Sequence, residues 1–173
     1  MTVEASAILR ANLADAHWLL EEVVGGLTDE QTHWAPPGTA NTIAATYAHV
    51  VASEDVFVHE TLQRGATLER GDWLGRDGIS LPVPRRGADW FAWSRRVRVD
   101  LRAARAYAAA VYAASDAYLA GLDPEMLVRA PDVPVPGGQT LNWLVHNLLV
   151  QHAALHGGEI AVLRGMQGLQ ALP

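Results

Sequence analysis

Cysteine is absent from this 173-residue chain, and so is lysine. Without cysteine the chain has no disulfide, no thiolate metal ligand and no cysteine nucleophile. All 13 basic residues are arginine, and 19 acidic residues bring the formal net charge to −6. No basic stripe follows any predicted helix, so we expect neither nucleic acid nor an anionic membrane as a partner.

Long apolar runs are also missing from the sequence. No segment approaches the ~18 uninterrupted apolar residues of a membrane span. The first residues lack the basic and apolar regions of a signal peptide, so we expect a cytoplasmic protein. No alternating pattern predicts a strand, no glycine-rich phosphate loop follows one, and no Ser-His-Asp arrangement has local support.

Four helical patterns are present instead, and they predict an all-α fold. Apolar residues recur at steps of three and four, which indicates a buried stripe on each helix. Candidate N-caps are Asn41 or Thr42, Asp89, and Gln139 or Thr140. The helices are predicted over residues 4–25, 42–63, 90–119 and 139–165. Four such helices around one core predict a four-helix bundle, as a single domain over residues 1–173.

A long loop is predicted over residues 64–88, which carry five glycines and two prolines. Loops of this length usually have a function, such as a lid or a wall, and this one suggests an overhand connection between the second and third helices. Trp73 in the loop either fills the core or walls a pocket. The loop arginines are either solvated or hold an anionic substrate: Arg64, Arg70, Arg76, Arg85 and Arg86. A second segment, 130–140, cannot be helical because it has three prolines within six residues.

Two histidines lie four residues apart on the last helix. His152 and His156 are about 40° apart around the axis and one turn apart along it, so both point to one apolar face. A buried imidazole needs a partner for each ring nitrogen. A divalent metal meets part of that need, since each ring donates a lone pair to it at about 2.1 Å. The spacing alone leaves two alternatives, a metal pair or hydrogen-bonded core histidines.

A third histidine lies on the second helix. His49 shares a face with the small residues Ala45 and Ala52, which leave room beside it. Metal sites in bundles are built from facing helices, and three histidines with an open fourth position are typical of a catalytic site. The alternative is that His49 belongs to a core hydrogen-bond network. The candidate metal ligands are therefore His49, His152 and His156.

The remaining histidines are assigned to surface or boundary positions: His17, His33, His59 and His146. Of these, His17 is the one that can face the core. The spacing of His152 and His156 also matches zinc proteases, whose motif needs a glutamate directly after the first histidine. Ala153 stands there, so a metalloprotease is excluded. Glu159 either orients a ligand histidine from behind or is a charge at the rim of the bundle.

The order and separation of these motifs resemble the DinB-like superfamily. Residues 27–55, LTDEQTHWAPPGTANTIAATYAHVVASED, resemble its N-terminal half, in which an acidic turn and a Pro-Pro-Gly loop precede a helix with one histidine. Residues 152–165, HAALHGGEIAVLRG, resemble its last helix, with a His-x3-His pair and a Gly-Glu-Ile continuation. The likeness runs from about residue 5 to 170. Gly157 departs from it, because a ring or basic residue is common after the last histidine.

The resemblance implies a four-helix bundle, often a homodimer, with one divalent metal per chain on His49, His152 and His156. Zinc is the first choice, and nickel or iron are the others. The resemblance also implies a low-molecular-weight thiol as partner, because characterised relatives are transferases and isomerases that use mycothiol, bacillithiol or glutathione. Other members are known only as damage-inducible proteins.

The same site suggests a mechanism on chemical grounds. Three neutral imidazoles leave the charge of a bound cation uncompensated, so the pKa of a water or thiol in the open position falls strongly. The chain has no cysteine, so an attacking thiolate must come from a cosubstrate. We therefore expect a metal-dependent thiol S-transferase or isomerase with a small-molecule substrate. The alternatives are a non-catalytic metal-binding stress protein and a metal-dependent hydrolase.

Overall fold

A computed structural model describes residues 5–85, 89–133 and 137–172 of the chain. Its helices are α1 (Ala5–Val24), α2 (Asp29–His33), α3 (Ile43–Asp55), α4 (Trp90–Ser94), α5 (Leu101–Ala120), α6 (Pro124–Leu127), α7 (Leu141–Val145) and α8 (Gln151–Met166). A π-helical segment, Val56–Leu62, extends α3, and a second one, His146–Val150, joins α7 to α8. The described residues form no regular strand, so the all-α prediction is confirmed.

Contacts across the bundle core give the direction of α3 relative to α1. Tyr47 donates a hydrogen bond to Glu21 near the end of α1. Further along α3, Glu54 meets His17, one turn earlier on α1. The two helices therefore run antiparallel.

Two ion pairs between α1 and α5 give the direction of α5. Arg10 pairs with Asp116 late in α5, whereas Glu21 pairs with Arg105 early in it. This pairing makes α5 antiparallel to α1 and therefore parallel to α3. The chain between them must return along the length of the bundle, which is the overhand connection that the long loop suggested.

The last helix runs parallel to the first. Gly157 of α8 lies against Leu19 of α1. About two turns further along α8, Arg164 donates a hydrogen bond to the carbonyl of Val23, which is about one turn beyond Leu19 on α1. A Cβ at Gly157 would lie 3.4 Å from the side chain of Leu19, so a ring or a long basic side chain there would push α8 away from α1. The departure of Gly157 from the family pattern thus coincides with a close helix contact.

The π-helical segments change which residues of the last helix face the core. Sequence periodicity predicts Leu148, and either Leu155 or His156, on the inward face, but Leu148 and Leu155 are 37% and 72% exposed. Leu149 and Ala153 are buried in their place. Each π turn takes in one residue more than an α turn, so the buried face shifts around the axis after His146–Val150.

The third predicted helix, 90–119, is wrong as a continuous element. The structure has α4 and α5 separated by an extended stretch, 95–100. Asp100 accepts hydrogen bonds from the backbone N–H groups of Arg102 and Ala103 and so begins α5 as its N-cap. Val99 forms an isolated β-bridge with Ile79 of the long loop. These contacts with distant segments outweigh the local helical pattern.

Other predicted boundaries agree with the structure. Thr42, Asp89 and Thr140 are the N-caps of α3, α4 and α7, and Thr28 forms the predicted capping box with Gln31. Three parts of the predictions lie outside the described residues: residue 4 of the first helix, Arg86, and residues 134–136 of the proline-rich segment. In the described part of the chain, none of the helices is both long and apolar enough to cross a membrane.

A buried polar cluster ties α1, α3 and α5 together. Glu54 is 1% exposed and accepts a hydrogen bond from Ser115, at 2.6 Å, and contacts Nε2 of His17 at 2.8 Å. The ring of His17 stacks on Tyr112 at 3.7 Å. His17 is therefore a core residue and not a surface one, because a buried carboxylate requires a hydrogen-bonding partner.

Candidate metal centre

Three histidine rings meet in the cleft between α3 and α8. His49 lies midway along α3, and His152 and His156 lie on the first two turns of α8. Their ring centroids are 4.7, 4.8 and 5.0 Å apart. One ring nitrogen from each lies within 4.8 Å of the other two. The tertiary structure thus brings His49 to two histidines that lie more than a hundred residues later in the sequence.

The outer nitrogens of two rings are engaged by neighbouring side chains. Nδ1 of His49 lies 3.2 Å from the hydroxyl of Ser53, and Nδ1 of His156 lies 2.8 Å from a carboxylate oxygen of Glu159. Glu159 thus contacts His156, whereas the helical spacing had aligned it with His152. Because neighbouring side chains hold Nδ1 of His49 and of His156, Nε2 is the nitrogen of each ring that can face the centre of the histidine cluster.

Burial keeps the rings of His49 and His152 uncharged. It lowers the pKa of His49 to about 3, and the neighbouring His152 and His156 lower it further. Burial also lowers the pKa of His152 to about 4, with a further contribution from His156. Neutral imidazoles have a free lone pair, which is the form that binds a metal.

The donor set fits a divalent cation. The Nε2 atoms of His49 and His152 are 3.0 Å apart, and nitrogens on one tetrahedral ion with bonds of about 2.1 Å would be roughly 3.4 Å apart. Small rotations of the two side chains would bring their Nε2 atoms to the distance expected around a shared ion. The three histidines are a cluster that can bind a metal ion, with no thiolate or carboxylate among its ligands.

A large cavity opens beside the three rings. It has a volume of about 950 Å³ and runs along α3 and under the long loop. His49, His152 and His156 are part of its wall. The loop supplies nine of the other lining residues: Thr67, Glu69, Arg70, Asp77, Ile79, Pro82, Val83, Pro84 and Arg85. The described part of the loop therefore forms the wall that its length suggested.

Trp90 closes the cavity beside the histidines. Its ring meets His49 edge-on, with centroids 4.5 Å apart, and it lines the cavity. No local sequence pattern separates Trp90 from the other tryptophans. Trp73, in contrast, packs on Tyr107 at 5.7 Å, against the core and outside the cavity lining.

Asp55 fixes the loop to α3. Its carboxylate is 1% exposed and accepts hydrogen bonds from the backbone of Leu68 and Glu69, each at 3.0 Å, and from the hydroxyl of Tyr107. Asp55 also contacts His59 at 2.8 Å. Sequence analysis missed this residue, although an aspartate on the core face of a helix is a signal that a buried partner exists.

The four loop arginines that the structure describes are engaged by other protein groups. Arg85 forms a bidentate pair with Glu60, and Arg70 approaches the same carboxylate at 3.7 Å. Arg64 pairs with Asp132, and Arg76 lies over the ring of Trp73. Glu60 thus pairs with both arginines that line the cavity, closely with Arg85 and at a longer distance with Arg70.

The other histidines lie away from the three rings. The ring of His33 accepts a hydrogen bond from the backbone N–H of Val99, which secures the extended stretch before α5. His59 contacts Asp55 and is 12% exposed at its side chain, as expected for a boundary residue. His146 lies in the second π-helical segment and does not line the cavity.

Comparison with known proteins agrees with this architecture. A conserved protein from Enterococcus faecalis has a similar fold, with a TM-score of 0.78 and 19% sequence identity. The alignment covers 94% of this chain and 96% of that one. Among curated proteins none matches the chain.

The family is recognised from the sequence itself. The DinB superfamily matches residues 12–160, which include most of α1, the histidine of α3 and both histidines of α8. With its helical bundle and its three clustered histidines, the chain belongs to the DinB superfamily.

Proposed function

We propose that this protein is a metal-dependent thiol S-transferase or isomerase whose divalent cation is held by His49, His152 and His156. The observation that carries the proposal is the position of the three rings, each with a nitrogen directed to one point at the wall of a deep cavity. One metal per chain is expected. Zinc is preferred, and nickel and iron suit the same imidazoles.

The residues of the site have separate tasks in this proposal. Bound there, a divalent cation would lower the pKa of a thiol in the open position, so that sulfur could attack as a thiolate. The three neutral histidines leave the positive charge of the site undiminished. Ser53 and Glu159 fix the orientation of two rings. Trp90 shields His49 from water on one side, and the cavity holds the second substrate.

Two other functions use the same residues. A hydrolase would use the cation to activate water, and a non-catalytic stress protein would bind the metal without turnover. The cavity of about 950 Å³ leaves room for a thiol cosubstrate beside a second substrate, and the chain has no cysteine of its own to supply the sulfur. The three functions differ in whether a thiol binds and in whether an ester is turned over without one.

Metal content is the first test. Untagged protein is expected to contain about one divalent metal per chain by elemental analysis, because three ligands of one kind converge. His152→Ala and His156→Ala should each lose most of it, since two imidazoles hold a cation poorly. His146→Ala is the matched control and should keep its metal. An unchanged metal content in both site variants would refute the ligand assignment.

Thiol binding is the second test. Cobalt-substituted protein titrated with a panel of low-molecular-weight thiols should show saturable changes in its absorption spectrum, and an electrophilic probe should then be consumed at a rate that depends on thiol. Ester hydrolysis without thiol would favour the hydrolase instead. A cobalt protein that responds to no thiol and turns over no ester would favour the non-catalytic bundle.

We propose a second copy of this chain as the macromolecular partner. Exposed apolar side chains lie at similar heights on the adjacent, parallel helices α1 and α8: Trp18 at 58%, Leu155 at 72% and Val162 at 63% exposure. Exposed apolar side chains on two neighbouring helices suit association with an equivalent face of another copy. The small-molecule partners are the thiol and its electrophilic substrate.

A further inference from the structure

The cavity beside the histidines has an aromatic side chain that the fold leaves partly uncovered. Trp90 lines this cavity, and its ring centroid is 4.5 Å from that of the His49 ring. Trp93 of the same short helix is only 8% exposed and packs in the core, whereas Trp90 remains partly exposed. Because Trp90 and the three histidines line one cavity, a ligand at the metal centre can cover the exposed part of the Trp90 ring.

Other residues hold the short helix α4 in place. Asp89 accepts a hydrogen bond from the backbone as its N-cap. After its last residue, Arg95 donates hydrogen bonds to three carbonyl groups of the segment 36–40, at 3.1 to 3.3 Å. Trp93 fixes the helix to the core. The ring of Trp90 is therefore in position before a ligand binds, and a preorganised ring loses little freedom on binding.

Apolar side chains from two other segments line the same cavity. Three of them follow His49, on α3 and at the start of the π-helical segment: Ala52, Val56 and Phe57. Three more come from the long loop: Ile79, Pro82 and Val83. Ala52 and Val56 come three and seven residues after His49, so they share its helix face. A ligand that extends from the metal centre along α3 thus meets apolar surface.

The charges of the wall do not favour an anionic group on this ligand. Three carboxylates and two guanidinium groups line the cavity: Asp55, Glu69, Asp77, Arg70 and Arg85. Arg85 pairs with both oxygens of Glu60 at 2.9 Å, and Arg70 lies 3.7 Å from the same carboxylate. The described part of the wall therefore offers apolar contact without an excess of positive charge, which suits an uncharged ring.

We propose that the electrophilic substrate of this site carries an uncharged aromatic ring, which packs against Trp90 beside the metal centre. The inference rests on the proposed function and names the substrate class. Aromatic pairs attract each other beyond the area they bury, so Trp90 distinguishes an aromatic ring from an aliphatic group of the same size. Trp90 is then a specificity-determining residue of the site.

Two azole probes of similar size test the inference without depending on the thiol reaction. 1-Benzylimidazole and 1-(cyclohexylmethyl)imidazole are titrated into cobalt-substituted protein, and the cobalt absorption spectrum gives both dissociation constants. An imidazole head can bind an open position on the metal whichever reaction the site performs. The one-carbon linker keeps the second ring close to the metal centre, where Trp90 lies.

Two tryptophan variants isolate the role of Trp90. Trp90→Leu keeps an apolar side chain and removes the aromatic ring. Trp143→Leu is the matched control, at a residue of α7 that is 43% exposed and outside the cavity lining. The ratio of the two dissociation constants is compared between proteins, because the difference in hydrophobicity between the probes is then the same for each.

The preference for the benzyl probe should be roughly two- to tenfold larger in the wild type and in Trp143→Leu than in Trp90→Leu, a factor typical of one aromatic pair. The same ratio in the wild type and in Trp90→Leu, or an equal loss in Trp143→Leu, would overturn the inference. Protein that takes up no cobalt would refute the metal site and this inference together. A thiol panel without response, beside a preference that depends on Trp90, would refute the thiol reaction and support the aromatic substrate.

A measurement on the wild type alone decides the matter if Trp90→Leu folds poorly. The zinc form with ¹⁵N in its six tryptophans gives one indole N–H signal per ring, and replacement of zinc by cobalt identifies Trp90 as the ring in contact with a ligand histidine. The benzyl probe should move this signal by its ring current, and the cyclohexylmethyl probe should move it far less. Equal shifts with both probes would contradict the contact.

Discussion

At the scale of the single residue, the outer nitrogen of each histidine ring indicates what the ring does. His156 has Glu159 behind it at 2.8 Å, and His49 has Ser53 at 3.2 Å, so both are held with the inner nitrogen toward the cleft. His17 instead gives its Nε2 to the buried Glu54 and has no place in the cleft. Identical side chains thus belong to the site or to the core according to their contacts.

Glu159→Gln should weaken metal binding. The carboxylate behind a ligand histidine raises the basicity of the ring and fixes its orientation, and loss of such a partner typically costs 10- to 100-fold in affinity. Competition with a coloured zinc chelator measures the change. Glu22→Gln, at an exposed position of α1, is the control and should bind like the wild type. Equal affinity in both variants would make Glu159 a charge at the rim.

At the scale of the element, the long loop is held as a wall by backbone contacts at both of its described ends. Asp55 fixes Leu68 and Glu69. At the far end the carbonyl of Gly78 accepts a hydrogen bond from the backbone of Asp100, and Ile79 pairs with Val99. The loop is therefore attached to α3 and to the beginning of α5, on either side of the cavity.

Gly78 is the position where this attachment is most sensitive. Its φ is +74°, and a Cβ there would lie 2.7 Å from the carbonyl oxygen of Asp100 and 2.8 Å from the amide of Ala104. Gly78→Ala should therefore lower the free energy of unfolding by at least about 2 kcal/mol, from a left-handed backbone and a backbone clash together.

Urea denaturation measures this loss, with Gly71→Ala as its control. The nearest atoms to a Cβ at Gly71 are at ordinary distances of 3.7 and 3.8 Å, so that variant should be as stable as the wild type or slightly more so. Similar stability of the two variants would show that the loop does not need its contact with the start of α5.

At the scale of the whole molecule, helix direction creates the site. Because α3 and α5 are parallel, the chain must cross the bundle between them, and this crossing brings the loop over the α3–α8 cleft. A simple up-down bundle would connect these helices with a short turn and leave the histidines under open solvent. The walls of the cavity of about 950 Å³ therefore come from the long connecting loop as much as from the helices.

The outer face of α1 and α8 carries the prediction about assembly. Leu155→Glu should convert a dimer into a monomer, because a charge would be buried against the partner's apolar face. Light scattering after size exclusion measures the mass. Val128→Glu is the control, since Val128 is 73% exposed at a position outside these two helices. A wild type that is monomeric at high concentration would contradict the proposed dimer.

The sequence by itself determined the helices, their caps and the three histidines. Periodicity and capping are local, because neighbours within one turn of a helix set them. The N-caps could therefore be narrowed in advance to Asn41 or Thr42 and to Gln139 or Thr140, and the structure has Thr42 and Thr140. The exposure of Leu155 and the end of the helix before Asp100 could not be predicted from local sequence. A π-helical segment decides the first, and a β-bridge with the distant loop decides the second.

The tertiary structure alone decided what surrounds the histidines. Sequence spacing put His152 and His156 on one face, but only packing placed Trp90 against His49 and Asp55 beneath the loop. These contacts join residues far apart in the chain, and no local pattern encodes them. The three candidate metal ligands can thus be recognised from the faces of two helices. The pocket that would select a substrate depends instead on how distant parts of the chain pack together.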